Sequence, residues 1–203
     1  MLLSIIGKAK LRREDVSVAT GPKRRHDPER RNRIIQAALN VVAEHGVDGT
    51  SHRRVAAEAN VPLGSMTYHF NGMDDLLFTA FEQFTQSVAA RFQDRLNAAQ
   101  TVEEARSAVV DLICGDVWVS PRNMTLTFEL YAYANRKPAV RSIMSKWMAG
   151  SRKALSRHFD AATSRALDMA IEGITIHNSV EVDSISRDEV ARIIERLSRD
   201  QAG

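Results

Sequence analysis

The chain has 203 residues, 44% hydrophobic and 26% charged, with a net charge of +3. That composition suits a soluble globule of one domain or two small ones. Cys114 is the single cysteine, which excludes an intrachain disulfide and a cysteine-built zinc site.

The charge is unevenly placed. Residues 1–33 carry ten Lys/Arg against four Asp/Glu, while the remainder carries 18 basic and 21 acidic residues. A basic, disordered arm is expected over 1–26, joined to a mildly acidic body. Such an arm suggests a polyanion partner near the N-terminus, and a solvated tail without a partner is the plainer alternative. Residues 2–6 are apolar but too few for a signal segment or a membrane span. A cytoplasmic protein with no membrane partner is expected.

Helical periodicity dominates, and no segment alternates as a strand does. Asp27-Pro28-Glu29 reads as a helix start, with Asp27 as N-cap and Pro28 at the first position. Ile34, Ile35, Ala38, Leu39 and Val42 then form one buried stripe, and Gly46 ends the helix. Asp48-Gly49 is a turn. Thr50 or Ser51 caps a second, short helix to about Ala59. A third short helix lies within VPLGSMTYHF, residues 61–70. Asn71-Gly72 breaks the chain before a long helix over about 74–99. Thr101 and Glu104 have capping-box spacing and open the next helix. Ser120-Pro121 opens another. Pro138 starts a helix over 138–159, Thr163 caps one to about 179, and Ser186 with Glu189 repeats the capping-box spacing. The expectation is an all-α chain of about nine helices, with domains over 27–72 and 73–203.

The second and third helices invite closer reading. Val55, Ala56, Ala59, Val61, Met66 and Phe70 are the apolar positions, and the small Ala56 and Ala57 allow a close crossing. Asn60 sits where the chain reverses, and Asn tolerates the left-handed conformation. Two short helices joined steeply by a turn make a helix-turn-helix. A six-residue helix is marginal alone, so Met66 and Phe70, spaced i, i+4, must hold it down. That leaves Leu63, Gly64, Ser65, Thr67, Tyr68 and His69 facing out. The second helix of such a motif enters the major groove of double-stranded DNA. Gly64 permits close approach, Ser65 and Thr67 can hydrogen-bond base edges, and Tyr68 and His69 can reach phosphates. Thr50, Ser51 and Arg53 lie near a helix N-terminus, which favours phosphate. A three-helix core with no nucleic-acid role is the alternative.

Residues 33–81 resemble the DNA-binding domain of the TetR family of bacterial transcription regulators. The resemblance rests on Thr50, Val55, Ala56, Ala59, Val61, Gly64, Ser65, Met66, His69, Phe70 and Leu76. The wording PLGSMTYHF further resembles the RcdA-type subgroup. Asn60 stands in place of the turn glycine, Thr67 in place of the usual tyrosine, and Met73 in place of a lysine that contacts phosphate. The resemblance implies a C-terminal helical domain that holds a ligand and dimerises through two late helices.

Aromatic residues cluster between Phe81 and Trp147, and an apolar pocket with few polar groups is how small ligands are usually held. Cys114, Trp118, Phe128 and Tyr131 are the pocket candidates, with plain core packing as the alternative. On the late helices Leu155, Leu167, Ala170, Ile171, Gly173, Ile174 and His177 are the candidates for a homodimer interface. Two-fold symmetry would then require a palindromic operator.

The expected function is a homodimeric repressor relieved by a partly apolar small-molecule effector. An activator or constitutive regulator without effector keeps the DNA-binding part. A helical enzyme or carrier is the remote alternative: Glu129, His158 and His177 lie on different helices, and no phosphate loop or catalytic arrangement stands out. No catalytic residue, cofactor or metal is expected.

Overall fold

The computed structural model describes residues 27–115 and 120–199. Among them are nine α-helices, one 3-10 turn over Pro138–Val140, and no strand. The helices are α1 Arg30–His45, α2 His52–Glu58, α3 Gly64–His69, α4 Met73–Ala98 and α5 Val102–Cys114. They continue as α6 Pro121–Arg136, α7 Arg141–Leu155, α8 Ala161–Val180 and α9 Arg187–Leu197. The expected all-α fold is the one found. The basic arm over 1–26 and Trp118 fall outside the described residues.

Hydroxyl caps fix several of these starts. The side chains of Ser51, Thr101, Ser120 and Ser186 each accept a hydrogen bond from the backbone N–H three residues on. Each such cap is worth about 1 kcal/mol against alanine. Glu104 reaches back to the Gln100 N–H at 2.6 Å, one residue before the cap.

Four boundaries differ from the sequence reading. α1 begins at Arg30, because the Asp27 carboxylate accepts from the Glu29 N–H at 3.1 Å and the Arg33 guanidinium at 2.8 Å. That bond to the residue two places on makes a turn of 28–29 rather than a first helical turn. The chain after Pro138 winds as a 3-10 turn before α7, and α7 ends at Leu155 rather than 159. Asp160, not Thr163, caps α8: its carboxylate accepts from the Thr163 N–H at 2.8 Å.

Two buried clusters hold the helices together. The first joins α1, α2 and α3 to the first half of α4, to α6 and to the start of α7, through residues such as Ile34, Val55, Met66, Phe81, Leu130 and Ile143. The second joins the end of α4 to α5, the end of α7, α8 and α9, through Leu96, Ile113, Leu155, Leu167 and Ile194. Burying one such side chain contributes roughly 1.5–3 kcal/mol. α4 runs through both clusters. Its 26 residues span about 39 Å at the α-helical rise. The first cluster crosses the boundary expected at 72/73, so the N-terminal helices share a core with α6. No helix among the described residues is long and apolar enough to cross a membrane.

Candidate nucleic-acid interface and effector cavity

α2 and α3 are set at their angle by a Schellman ending. The Val61 N–H bonds the Ala56 carbonyl at 3.0 Å and the Asn60 N–H bonds the Ala57 carbonyl at 3.1 Å. Asn60 sits between them at φ 51°, the left-handed conformation that its place in the turn requires. Ala56 and Ala59 are buried at the crossing, whereas Ala57 faces solvent and takes no part in it.

Met66 and Phe70 are buried and hold α3 down. Ser65 is buried with them at 9% exposure, and His69 is half-buried, so neither faces out as the sequence reading expects. Positions 65, 66, 69 and 70 form one inward stripe at helical spacing. The outward ridge is Leu63, Gly64, Thr67 and Tyr68, with Tyr68 82% exposed. A side chain on Gly64 would meet nothing within 4 Å, so no contact inside the chain requires glycine there. The Thr67 hydroxyl donates to the Gly64 carbonyl at 3.2 Å.

Basic groups flank this ridge. Arg31 lies over the Phe70 ring at 5.1 Å from its centre. Burial first, then the charges of Arg30 and Arg31, lower the His69 pKa from its ordinary value. Arg53 and Arg54 are exposed on α2, and the Arg54 guanidinium donates to the Gly49 carbonyl. The Ser51 hydroxyl is exposed, and the half-buried Thr50 donates to the Gly46 carbonyl at 2.8 Å. Arg31 and Arg54 were missed from sequence. Only the tertiary fold brings Arg31 to Phe70 at the end of α3.

The helix-turn-helix is tied to α6 at several points. Glu129 accepts from the Val47 N–H at 2.8 Å, Arg122 donates to the Asn40 side chain at 2.8 Å, and Arg136 pairs with Asp48 at 3.5 Å.

Further along, α4, α5, α6, α7 and α8 enclose a cavity of about 50 Å³. Phe92, Leu112, Tyr131, Trp147, Asp168 and Glu172 are among its walls. Of the pocket candidates, Tyr131 lines it. Phe128 does not: with Leu126 and Leu130 turned to the core, a residue two places from each points about 200° away, and Phe128 is exposed. Cys114 ends α5, packs against the second cluster and is outside the lining. Burial pushes its thiol pKa up, which argues against a reactive thiolate.

Comparison with known proteins decides what frame these elements belong to. Residues 34–80 match the family described as bacterial regulatory proteins, tetR family. Residues 98–200 match the tetracyclin repressor-like C-terminal domain. The chain belongs to the TetR family. SCO7518, a transcriptional regulator of Streptomyces coelicolor A3(2), is 44% identical, with a TM-score of 0.78 over 84% of this chain and 99% of its own. The multidrug binding protein EbrR, crystallised with ethidium, is 34% identical, with a TM-score of 0.70 over 84% of this chain and 99% of its own. The nicotine-responsive transcriptional repressor HdnoR of Paenarthrobacter nicotinovorans is 25% identical over 68% of this chain and 71% of its own.

In this TetR-family chain the late-helix candidates divide. Leu155, Leu167 and Ile171 are buried within the chain's own second cluster and leave no surface for a partner. On α8, Leu167, Ala170, Ile171, Ile174 and His177 are expected to share one face, but Leu167 and Ile171 turn to the core while Ala170 and Ile174 are only half-buried and His177 is exposed. Ala170, Gly173, Ile174 and His177 remain at the surface of α8, beside α9. Met169, Ile176 and Val180 were not among the candidates, and with Gly173 they form a stripe at helical spacing, with Met169 61% and Val180 68% exposed. An unbroken apolar ridge of that kind needs a cover. The residues of the enzyme alternative are held apart. His158 bonds the Leu96 carbonyl at 2.8 Å, His177 pairs with Glu181 at 2.9 Å, and Glu129 is spent on Val47. Among the described residues no group of three His, Cys, Asp or Glu side chains could hold a metal ion.

Proposed function

We propose that the chain is a cytoplasmic, homodimeric repressor. It reads a palindromic operator with the ridge of α3 and leaves it when a small-molecule effector enters the α4–α8 cavity. The observation that carries the reading is Gly64: exposed, surrounded by no atom that a side chain would strike, and set between Leu63 and Thr67 on a ridge flanked by arginines. Such a ridge can reach base edges, while Arg31, Arg53, Arg54 and Ser51 can bind the phosphates on either side.

The apolar ridge of α8 supports a second copy of the chain as its cover, since a two-fold partner would bring the same ridge. The effector part is supported by the cavity and by relatives: EbrR holds ethidium, and HdnoR is nicotine-responsive. At about 50 Å³ the cavity is smaller than the ~300 Å³ and more that enclose a drug-sized molecule. An effector therefore has to widen it, and the helices that yield include α4 and α6, both packed on the DNA-reading head. On α6, Tyr131 lines the cavity and Glu129, two residues earlier, holds the head. A coupling of about 1–3 kcal/mol between the two sites is enough for regulation.

The test is selection of binding sites from a random duplex pool at near-physiological salt. A recovered palindrome supports a dimeric sequence-specific regulator. Weak, sequence-independent binding that fades steeply with salt would mean that a basic surface, not α3, carries the affinity.

A further inference from the structure

We infer that the effector is an amphipathic aromatic cation and that the Glu172 carboxylate is the group that recognises its charge. This rests on the cavity being the effector site. Two carboxylates line that cavity, Asp168 and Glu172, one turn apart on α8. They are not equivalent. Asp168 is paired with Arg152 at 3.1 Å and is neutralised. Glu172 is half-buried and lies within ion-pair distance of no cation among the described residues. Its carboxyl pKa is raised, with burial as the only cause. A partly desolvated carboxylate with no counter-ion among the described residues costs free energy that a bound cation would offset.

The walls facing it are Phe92 of α4, Tyr131 of α6 and Trp147 of α7. Aromatic faces attract a cation electrostatically, most strongly when it is shielded from water. An anionic effector would meet an unpaired carboxylate. A neutral apolar effector would strip Glu172 of its remaining water without replacing it. A cation on an aromatic body compensates the carboxylate, stacks on the rings and fills the apolar volume together. Trp147 and Met148 line the cavity and are only half-buried, so the cavity can widen at their side.

The experiment uses the full chain and two probes of one shape, phenyltrimethylammonium and its neutral carbon analogue tert-butylbenzene, titrated by calorimetry into the wild type and Glu172→Gln. The expected result is that Glu172→Gln weakens phenyltrimethylammonium by about tenfold or more, and tert-butylbenzene by less than about twofold. Its melting temperature should equal or exceed that of the wild type, which excludes misfolding as the cause. Equal weakening of both probes, no weakening of the cation, or no binding of the cation to the wild type overturns the inference. Ala89→Trp, which fills the cavity, separates this failure from failure of the site. If it abolishes tert-butylbenzene binding while Glu172 gives the cation no advantage, the site stands and the charge assignment falls. If it leaves both probes bound, both readings fall.

Discussion

The Glu129 carboxylate of α6 accepts a hydrogen bond from the Val47 N–H at 2.8 Å, and its other oxygen lies 3.1 Å from where a side chain on Gly46 would begin. A helix that lines the cavity thus grips the turn between α1 and α2. Gly46 has φ 70°, a conformation that disfavours every other residue type as well. Glu129→Ala should therefore cost about 1 kcal/mol, and Gly46→Ala more, since it adds backbone strain to a clash. Thermal unfolding followed by circular dichroism gives the order; a smaller loss for Gly46→Ala contradicts it.

Gly64 separates folding from recognition. Its surroundings leave room for a side chain, and alanine favours a helix over glycine by up to about 1 kcal/mol. Gly64→Leu should keep the melting temperature and the dimer, yet reduce operator affinity at least about tenfold. Specific affinity retained in that variant would remove α3 from its role as reader.

The α8 surface offers a matched pair of variants. Met169→Glu, on the exposed ridge, should split the dimer in sedimentation analysis without unfolding the chain. Leu167→Ala, two residues earlier but fully buried, should instead cost about 2–5 kcal/mol of stability. A dimer that survives charge at position 169 would place the interface elsewhere.

Acid should loosen α4 from α6. Asp74 accepts from the Tyr133 hydroxyl at 2.8 Å and pairs with Lys137 at 2.9 Å, and these bonds, Lys137 first, lower its pKa from 3.8. Burial, then Asp74, pushes the Tyr133 hydroxyl up to about 12. A depressed carboxylate is protonated more readily in the unfolded chain. The stability it lends is present above 3.8 and is lost as the pH falls through its lowered value. Tyr133→Phe should shrink that acid-sensitive part of the stability, read from denaturant unfolding at a series of acidic pH values.

His69 should make operator binding pH-dependent. Its pKa lies below 6.5, because burial and then Arg30 and Arg31 disfavour the imidazolium. For folding, stability is therefore full above 6.5 and falls as the pH drops through the lowered value. A phosphate drawn to this edge of α3 would favour the imidazolium, so affinity should rise as the pH falls from neutral. Titrations of operator DNA should show that rise in the wild type and a flat profile in His69→Gln.

Much of this architecture was legible because it is local. Ser51, Thr101, Ser120 and Ser186 cap helices through bonds to residues three places on, and Asn60 turns the chain through its own backbone preference. Periodicity marked Met66 and Phe70 as the inner face of α3, and the motif around them carried the family. What the sequence left open depends on which face of a helix meets which neighbour. Ser65 turned inward because a one-and-a-half-turn helix buries a stripe, not two points. Leu167 and Ile171 went to the chain's own core while Met169 and Val180 stayed outside, a choice made by the packing of α5, α7 and α9 on α8. The pairing of Asp168 with Arg152 and the grip of Glu129 on Val47 join residues 16 and 82 positions apart, and Glu172 has no counter-ion among the described residues. Such relations come from the close packing of whole helices, which no short-range pattern in a sequence encodes.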